Sequence, residues 1–329
     1  MKKVQVCLDP VGGLGNQLFQ IAAGLCYFWR MTEKEKEQKK DGSKEKERYE
    51  LKLLIKKNGS SLSVFQDRPV YWSSLLKILV KDGFVIETKE FPSLFHSVYS
   101  EPELCETKIP PIQEIIQMNG NVILQGYYQN LSHLHDNFTK VVKYLLPDSF
   151  IEDAKKLSLI DEKLMDNMAF VHVRKGDYKK LPNYHPVLSM SYYERALNVF
   201  EKDVKFFLFV ENEDRESTIK EFEKSEFWKG RITHVVSPSV PDYLQMLMMS
   251  SFGRGGIIAN SSFSCWAAYR RCLTHSNRHK IVFPLKWFNH VQKRPDICLP
   301  YWIGKSNDPL TEDEKKSYIG QSKVSNSMK

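Results

Sequence analysis

Residues 168–178 read MAFVHVRKGDY. Met168-Ala169-Phe170-Val171 is an apolar run of strand length. His172 to Tyr178 then place an imidazole, an arginine, a lysine, a glycine and a carboxylate directly behind it. In open α/β sheets, ligands bind at the C-terminal ends of strands, so this heptad stands where an anion is held. Arg174 offers a planar fork of donors suited to a pyrophosphate. His172, two residues earlier, lies on the same strand face. Lys175 adds a second cation. Asp177 cannot bind a phosphate favourably, so it either orients Arg174 or takes a proton from an acceptor hydroxyl. An ion pair at a strand end, with no ligand, is the alternative.

Working outward, the second half of the chain alternates strand and helix. Strands are predicted at Phe170–Val173, Phe206–Val210, Ile232–Val236, Gly255–Ala259 and, last, Ile281–Phe283. Helices are predicted over Tyr192–Phe200, Tyr243–Met249, with Asp242 as cap or first-turn residue, and Phe263–Leu273. That order implies a parallel sheet with crossover helices. At the N-terminus, Val4, Val6 and Leu8 alternate with polar positions, Gly12, Gly13 and Gly15 follow, and Leu18, Ile21, Ala22, Leu25 and Trp29 recur at helical spacing. Strand, glycine loop and helix open a nucleotide-binding-like fold. Between Leu51 and Pro147 the pattern is weaker. Leu53-Leu54-Ile55 and Val122-Ile123-Leu124 read as strands, and Leu131 to Leu146 has mixed helical periodicity. The domain junction is expected between Leu159 and Asn167.

The glycine loop lacks the Lys-Ser/Thr of a P-loop and the G-x-G-x-x-G spacing of a dinucleotide site. Asn16 and Gln17 nevertheless supply amide donors that reach a sugar hydroxyl or a phosphate oxygen. Asn260-Ser261-Ser262-Phe263-Ser264 follows one strand and opens a helix. Serines there cap the helix, and the helix start attracts anions. Because this turn and Arg174 both follow strands of one parallel sheet, both can converge on one ligand. Glu211, Glu213 and Asp214, after Phe206–Val210, read as surface acids, with a metal or a base as the alternative. His185, His234 and His275 read as structural.

The chain has 329 residues, a net charge of +8, 42% hydrophobic and 27% charged residues, and a pI near 9.0. These values fit a soluble protein of about two domains with an anionic partner. The basic residues form no stripe with interleaved aromatics, so nucleic acid is not the expected partner. Lys34 to Arg48 mixes both charge signs and reads as a solvated insertion. No C-x-x-C pair or zinc spacing links Cys7, Cys26, Cys105, Cys265, Cys272 and Cys298, so free thiols and no metal are expected. MKKVQVCLDPVGG lacks the apolar core of a secretory signal, and no run of about 18 apolar residues occurs. A cytoplasmic protein with no membrane span is the expectation.

Several of these segments together resemble the α-1,2-fucosyltransferases of glycosyltransferase family 11. Gly12–Gln17 with Phe19-Gln20 resembles that family's GGLGNQ-x-FQ opening, and His172–Tyr178 its H-x-R-R-G-D-Y motif. His185, Leu188 and Tyr192-Tyr193 follow at the family's spacing. NSSFSCWA, Asn260 to Ala267, is similar to NS-[ST]-FSWWA, and Val282-Phe283-Pro284 with Trp287-Phe288 to the closing strand and aromatic pair. The resemblance spans about residues 4 to 290.

It implies an α/β fold of GT-B type, with two Rossmann-like domains facing a central cleft. Expected boundaries are 1–160 for an acceptor-side domain carrying a charged insertion near 32–50, 161–306 for a donor domain, and 307–329 for a polar tail. The implied reaction is inverting and metal-independent, with no cofactor. It moves L-fucose from GDP-β-L-fucose to a galactose 2-hydroxyl of a glycan acceptor. Arg174, Asp177 and Asn16 are the expected catalytic residues, with Asp177 read from its chemistry as the first choice of base. Gly12, Gly13, Gly15, His172, Arg174, Lys175, Asn260, Ser261, Ser262, Phe263 and Ser264 are the implied donor contacts. Lys175 in place of the second arginine and Cys265 in place of the first tryptophan depart from the motifs. A transferase with another GDP-sugar or linkage, or a silent sugar-nucleotide or glycan binder, is the alternative.

Overall fold

The computed structural model describes residues 2–40, 49–57, 61–62, 67–68, 71–86, 97–101, 109, 111–117, 121–274, 279–290 and 296–316. The chain forms two compact units, Met1–Pro147 with Pro295–Ile297, and Asp148–Arg294 with Cys298–Lys329.

The first unit contains strands β1 (Lys2–Leu8), β2 (Tyr49–Lys56), β3 (Ser61–Leu62), β4 (Asp67–Arg68), β5 (Val85–Ile86), β6 (Ser97–Ser100) and β7 (Asn121–Gln125). Its helices are α1 (Leu14–Lys40), α2 (Lys77–Lys81), α3 (Ile112–Gln117) and α4 (Phe138–Leu145). A parallel sheet runs in the order β5-β2-β1-β7-β6, and β3 and β4 form a small antiparallel pair. Central β1 buries Val4, Val6, Cys7 and Leu8, as a parallel strand covered on both faces requires. Leu18, Ile21, Ala22 and Leu25 of α1 are fully buried, so the helical spacing in the sequence marks its core face.

The second unit contains β8 (Met168–Val173), β9 (Lys205–Val210), β10 (Ile232–Val235), β11 (Gly255–Ile257), β12 (Lys280–Pro284) and β13 (Ile303–Lys305). Its helices are α5 (Asp148–Ser158), α6 (Glu162–Asp166), α7 (Met190–Leu197), α8 (Arg215–Lys224), α9 (Asp242–Met249) and α10 (Ser262–Cys272). The sheet is parallel throughout, in the order β10-β9-β8-β11-β12-β13. Every residue of β8 is buried. Phe206, Leu208, Tyr193, Phe222 and Trp228 join one core cluster with it, each large apolar side chain contributing roughly 1.5–3 kcal/mol. Tyr192 hides its hydroxyl by donating to the Ile258 carbonyl at 2.6 Å.

Three expectations are corrected and one, the charged tract, is refined. The units divide after Pro147, not between Leu159 and Asn167, because α5 belongs with α9, where Phe150 meets the edge of Tyr243. Helix α1 continues to Lys40, so the charged tract begins as helix, while residues 41–48 lie outside the described residues. Ile281–Phe283 is not the last strand: β13 pairs beyond β12, and its three half-buried residues carry no apolar pattern. The polar tail expected at 307–329 is docked, not separate, over residues 307–314. Buried Arg195 donates to the carbonyls of Ser306, Asp308 and Pro309 and to both oxygens of Glu314. Residues 317–329 lie outside the described residues.

Cys7, Cys26, Cys265, Cys272 and Cys298 are free thiols, and Cys105 lies outside the described residues. Burial pushes the Cys7 thiol up to about 12. Among the described residues, no helix is long and apolar enough to cross a membrane.

Candidate functional site

Strand β8 lies between β9 and β11, so the loops leaving these three strands meet at one sheet edge. β8 delivers Arg174 there. Its Nη1 donates to Glu211 Oε1 at 2.5 Å and its Nη2 to Asp177 Oδ1 at 2.6 Å. The guanidinium lies 5.3 Å from the centre of the Tyr178 ring. Tyr178 in turn donates its hydroxyl to the Asn260 carbonyl at 2.8 Å. Burial opposes the charge on Arg174, but Glu211, Tyr178 and Asp177 outweigh it and hold its pKa above the ordinary value.

The turn at Asn260 leads into α10. Ser261 is the N-cap residue but makes no side-chain cap bond. Ser264 sits inside the first turn and donates its hydroxyl back to Ser261 O. Ser262 and Phe263 are half-buried. Arg174 and the positive end of α10 therefore lie on adjacent strands, connected through Tyr178. A helix start and an arginine are two independent attractions for one anion.

Three acids of the β9–α8 segment bind this loop. Glu211 takes Arg174. Asp214, almost fully buried, accepts the Gly176 N–H at 2.8 Å and pairs with Lys179. Glu221 accepts Lys175 Nζ on both oxygens, at 2.8 and 2.7 Å. Sequence reading left Glu211 and Asp214 as surface acids and did not single out Glu221. Glu211 and Asp214 follow β9 and Glu221 lies on α8, and their meeting with this loop depends on β9 pairing beside β8. The oxygens of Glu211, Glu213 and Asp214 lie within 4.8 Å of one another, and Arg174 and Lys179 already supply positive charge to that cluster.

Lys175, expected as a donor contact, has its ammonium held by Glu221. Consecutive side chains leaving a strand diverge, so Lys175 turns towards α8 while Arg174 faces the site. Asn260 is also more internal than expected. Fully buried, it donates to the carbonyls of Pro186 and Trp287 at 3.0 and 3.1 Å, tying three loops together. Cys265 is buried in the core.

His172 is buried against Phe263, with ring centroids 5.8 Å apart. Its Nδ1 has no hydrogen-bond partner among the described residues. Burial, with Arg174 adding to it, lowers its pKa to about 3. His185 stacks on Tyr178 at 4.2 Å and meets Phe288 at 5.4 Å, so it belongs to the site wall. Burial lowers its pKa to about 4. His234 stacks on Phe207 away from these loops, and His275 lies outside the described residues.

In the first unit the glycine loop follows β1. Gly12 has φ +82°, which an L side chain rarely adopts, and a Cβ there would press on Asn16 and Tyr127. Gln17 donates to the Gly12 carbonyl at 2.9 Å, and Gln20 to the carbonyls of Val11 and Asn16. These glutamines clamp the loop, so Gln17 spends its amide on the backbone. Asn16 Oδ1 accepts from Gln129 at 2.8 Å. Gly13 has open space around its Cα, and Gly15 opens α1.

Along nearly its whole length the chain is similar to glycosyltransferases. One is the alpha-1,2-colitosyltransferase of Escherichia coli, 25% identical over 306 residues, covering 89% of this chain and 96% of that protein. Another is the O-antigen biosynthesis glycosyltransferase WbnK of Escherichia coli, 24% identical over 333 residues, covering 90% and 98%. No family model matches. Among solved structures, the glycosyl transferase family 9 protein from Veillonella parvula DSM 2008 aligns over 97% of this chain and 92% of its own, with a TM-score of 0.42 and 9% identity.

Proposed function

We propose that this chain is an inverting α-1,2-fucosyltransferase that moves L-fucose from GDP-β-L-fucose to a galactose 2-hydroxyl of a glycan. The coarser reading, a sugar transferase, rests on the two glycosyltransferase relatives. The observation that carries the donor reading is Arg174 beside the start of α10, joined to it through Tyr178 and Asn260. When the bond between the anomeric carbon and the phosphate oxygen breaks, negative charge develops on the departing GDP. Fixed donors that meet this charge act most strongly in the transition state. Arg174 and the helix start are such donors, which supports transfer without a metal ion or other cofactor. The acceptor oxygen attacks the opposite face of the sugar, and its proton passes to a base.

Two tasks are open to Asp177. Its bond to Arg174 favours orientation of the arginine over proton transfer. In the first unit, the clamped glycine loop with Asn16 and Gln129 presents amides suited to sugar hydroxyls.

A second donor is favoured by the relative named for colitosyl transfer. Colitose is L-fucose lacking one ring hydroxyl, so the same diphosphate grip serves both. The test is incubation of the chain with GDP-fucose, GDP-colitose and GDP-mannose and a panel of galactosyl acceptors, with and without EDTA, followed by linkage analysis. An α-1,2-fucosyl product formed in EDTA supports the reading. Product from another donor alone, or none without added metal, overturns it.

A further inference from the structure

The charges around Arg174 do not suit an empty anion site. Both outer nitrogens of the guanidinium are already on carboxylates, Nη1 on Glu211 and Nη2 on Asp177. One positive charge against two negative ones leaves the trio at −1 (+1 − 1 − 1). A diphosphate brought to that trio meets like charge, which disfavours binding. Withdrawal of one carboxylate leaves the remaining pair neutral and relieves that repulsion. Asp177 is three residues from Arg174, in the short turn that follows it, on a short side chain. Glu211 reaches across from the end of β9 on a longer one, with its side chain 30% exposed. Beside Glu211, Glu213 adds like charge, while Lys179 offsets that of Asp214. It is the carboxylate with both room and reason to leave.

The seat that Glu211 occupies depends on Gly176. A Cβ built on Gly176 would overlap Oε2 and the carboxyl carbon of Glu211 and press on Oε1. The Gly176 N–H is bound separately, by Asp214. The glycine therefore leaves the space in which Glu211 lies against Arg174.

We propose that Glu211 is a counter-ion gate: it occupies Arg174 while no donor is bound and yields that arginine to the donor's diphosphate. This rests on Arg174 being the diphosphate residue, as argued above. Glu211 holds the half-buried guanidinium in one orientation between turnovers, and its removal from the arginine is part of the cost of binding the nucleotide. Asp177 stays in place and holds the arginine's direction.

Calorimetric titration with GDP at constant ionic strength tests the gate in four forms of the full chain: wild type, Glu211→Gln, Gly176→Ala and Arg174→Ala. Glu211→Gln removes the competing charge but keeps the shape. Gly176→Ala keeps every charge and pushes the Glu211 carboxylate off its seat, so it serves as the second route should the first variant fold poorly. Tighter GDP binding by about tenfold in either folded variant is the expected result, equivalent to about 1.4 kcal/mol. Unchanged or weaker binding would overturn the gate and leave Glu211 as an orienting partner of Arg174. If Arg174→Ala binds GDP as tightly as wild type, the failure lies with Arg174 as the diphosphate residue and not with the gate alone.

Discussion

Replacement of Lys175 by Met separates two roles that one lysine in a donor-site motif could have. The lysine side chain is 8% exposed and its ammonium is held by both oxygens of Glu221, which is itself 46% exposed. Breaking a buried pair from one side costs about 3–5 kcal/mol, and an exposed pair is worth about 0–1 kcal/mol. With one partner buried and the other half in water, loss of Glu221 alone should cost about 2 kcal/mol. For a unit of this size that lowers Tm by about 4–8 °C. Lys175→Met removes the buried charge while keeping an apolar stem, and Glu221 then turns to solvent, so its cost should stay below about 1 kcal/mol. Thermal denaturation of Lys175→Met, Glu221→Ala and the double variant measures these values and their coupling. GDP titration of Lys175→Met should give a Kd within about twofold of wild type. A tenfold loss of GDP affinity with an unchanged Tm would refute the reasoning and return Lys175 to the donor site.

Asn260→Ala leaves the carbonyls of Pro186 and Trp287 without their donor. At about 1–3 kcal/mol for each buried group left unsatisfied, a clear fall in Tm should accompany any loss of activity, and lost activity at a wild-type Tm would mean direct contact with the donor. His172 and His185 have pKa values lowered from 6.5 to about 3 and about 4, chiefly by burial. The unfolded chain takes up these protons first, so their stabilising effect is complete above pH 6.5 and is lost as pH falls towards those values. The slope is about 1.4 kcal/mol per pH unit for each histidine in that window. His172→Gln should flatten the fall of Tm below pH 6.5, and an unaltered slope would count against a neutral buried imidazole.

Much of the second unit was legible because its strands are buried on both faces and so read as unbroken apolar runs, β8 and β9 above all. The position of Arg174 followed from the end of one such run. The partners of that arginine were not legible. Glu211 lies 37 residues away, and its meeting with Arg174 depends on β9 lying beside β8, an adjacency that no local pattern encodes. The opposite directions of Arg174 and Lys175, by contrast, were present in the extended-chain rule and were overridden by the motif. In the first unit, β5 and β6 have only two and four residues, none of them fully buried, too short for a period to emerge. Gln17 looked like a ligand donor because its use on the Gly12 carbonyl depends on the folded turn.

Arg174 as the group that meets the charge of departing GDP is tested most directly by turnover of Arg174→Ala and Arg174→Lys with GDP-fucose, once circular dichroism shows that both are folded. Loss of one fixed donor at a developing negative charge costs about 3–4 kcal/mol. Arg174→Ala should therefore lose about 10²–10³ in kcat, and Arg174→Lys should recover only part of it, because a point charge does not replace the fork. Near-normal turnover by a folded Arg174→Ala would contradict the assignment of this site.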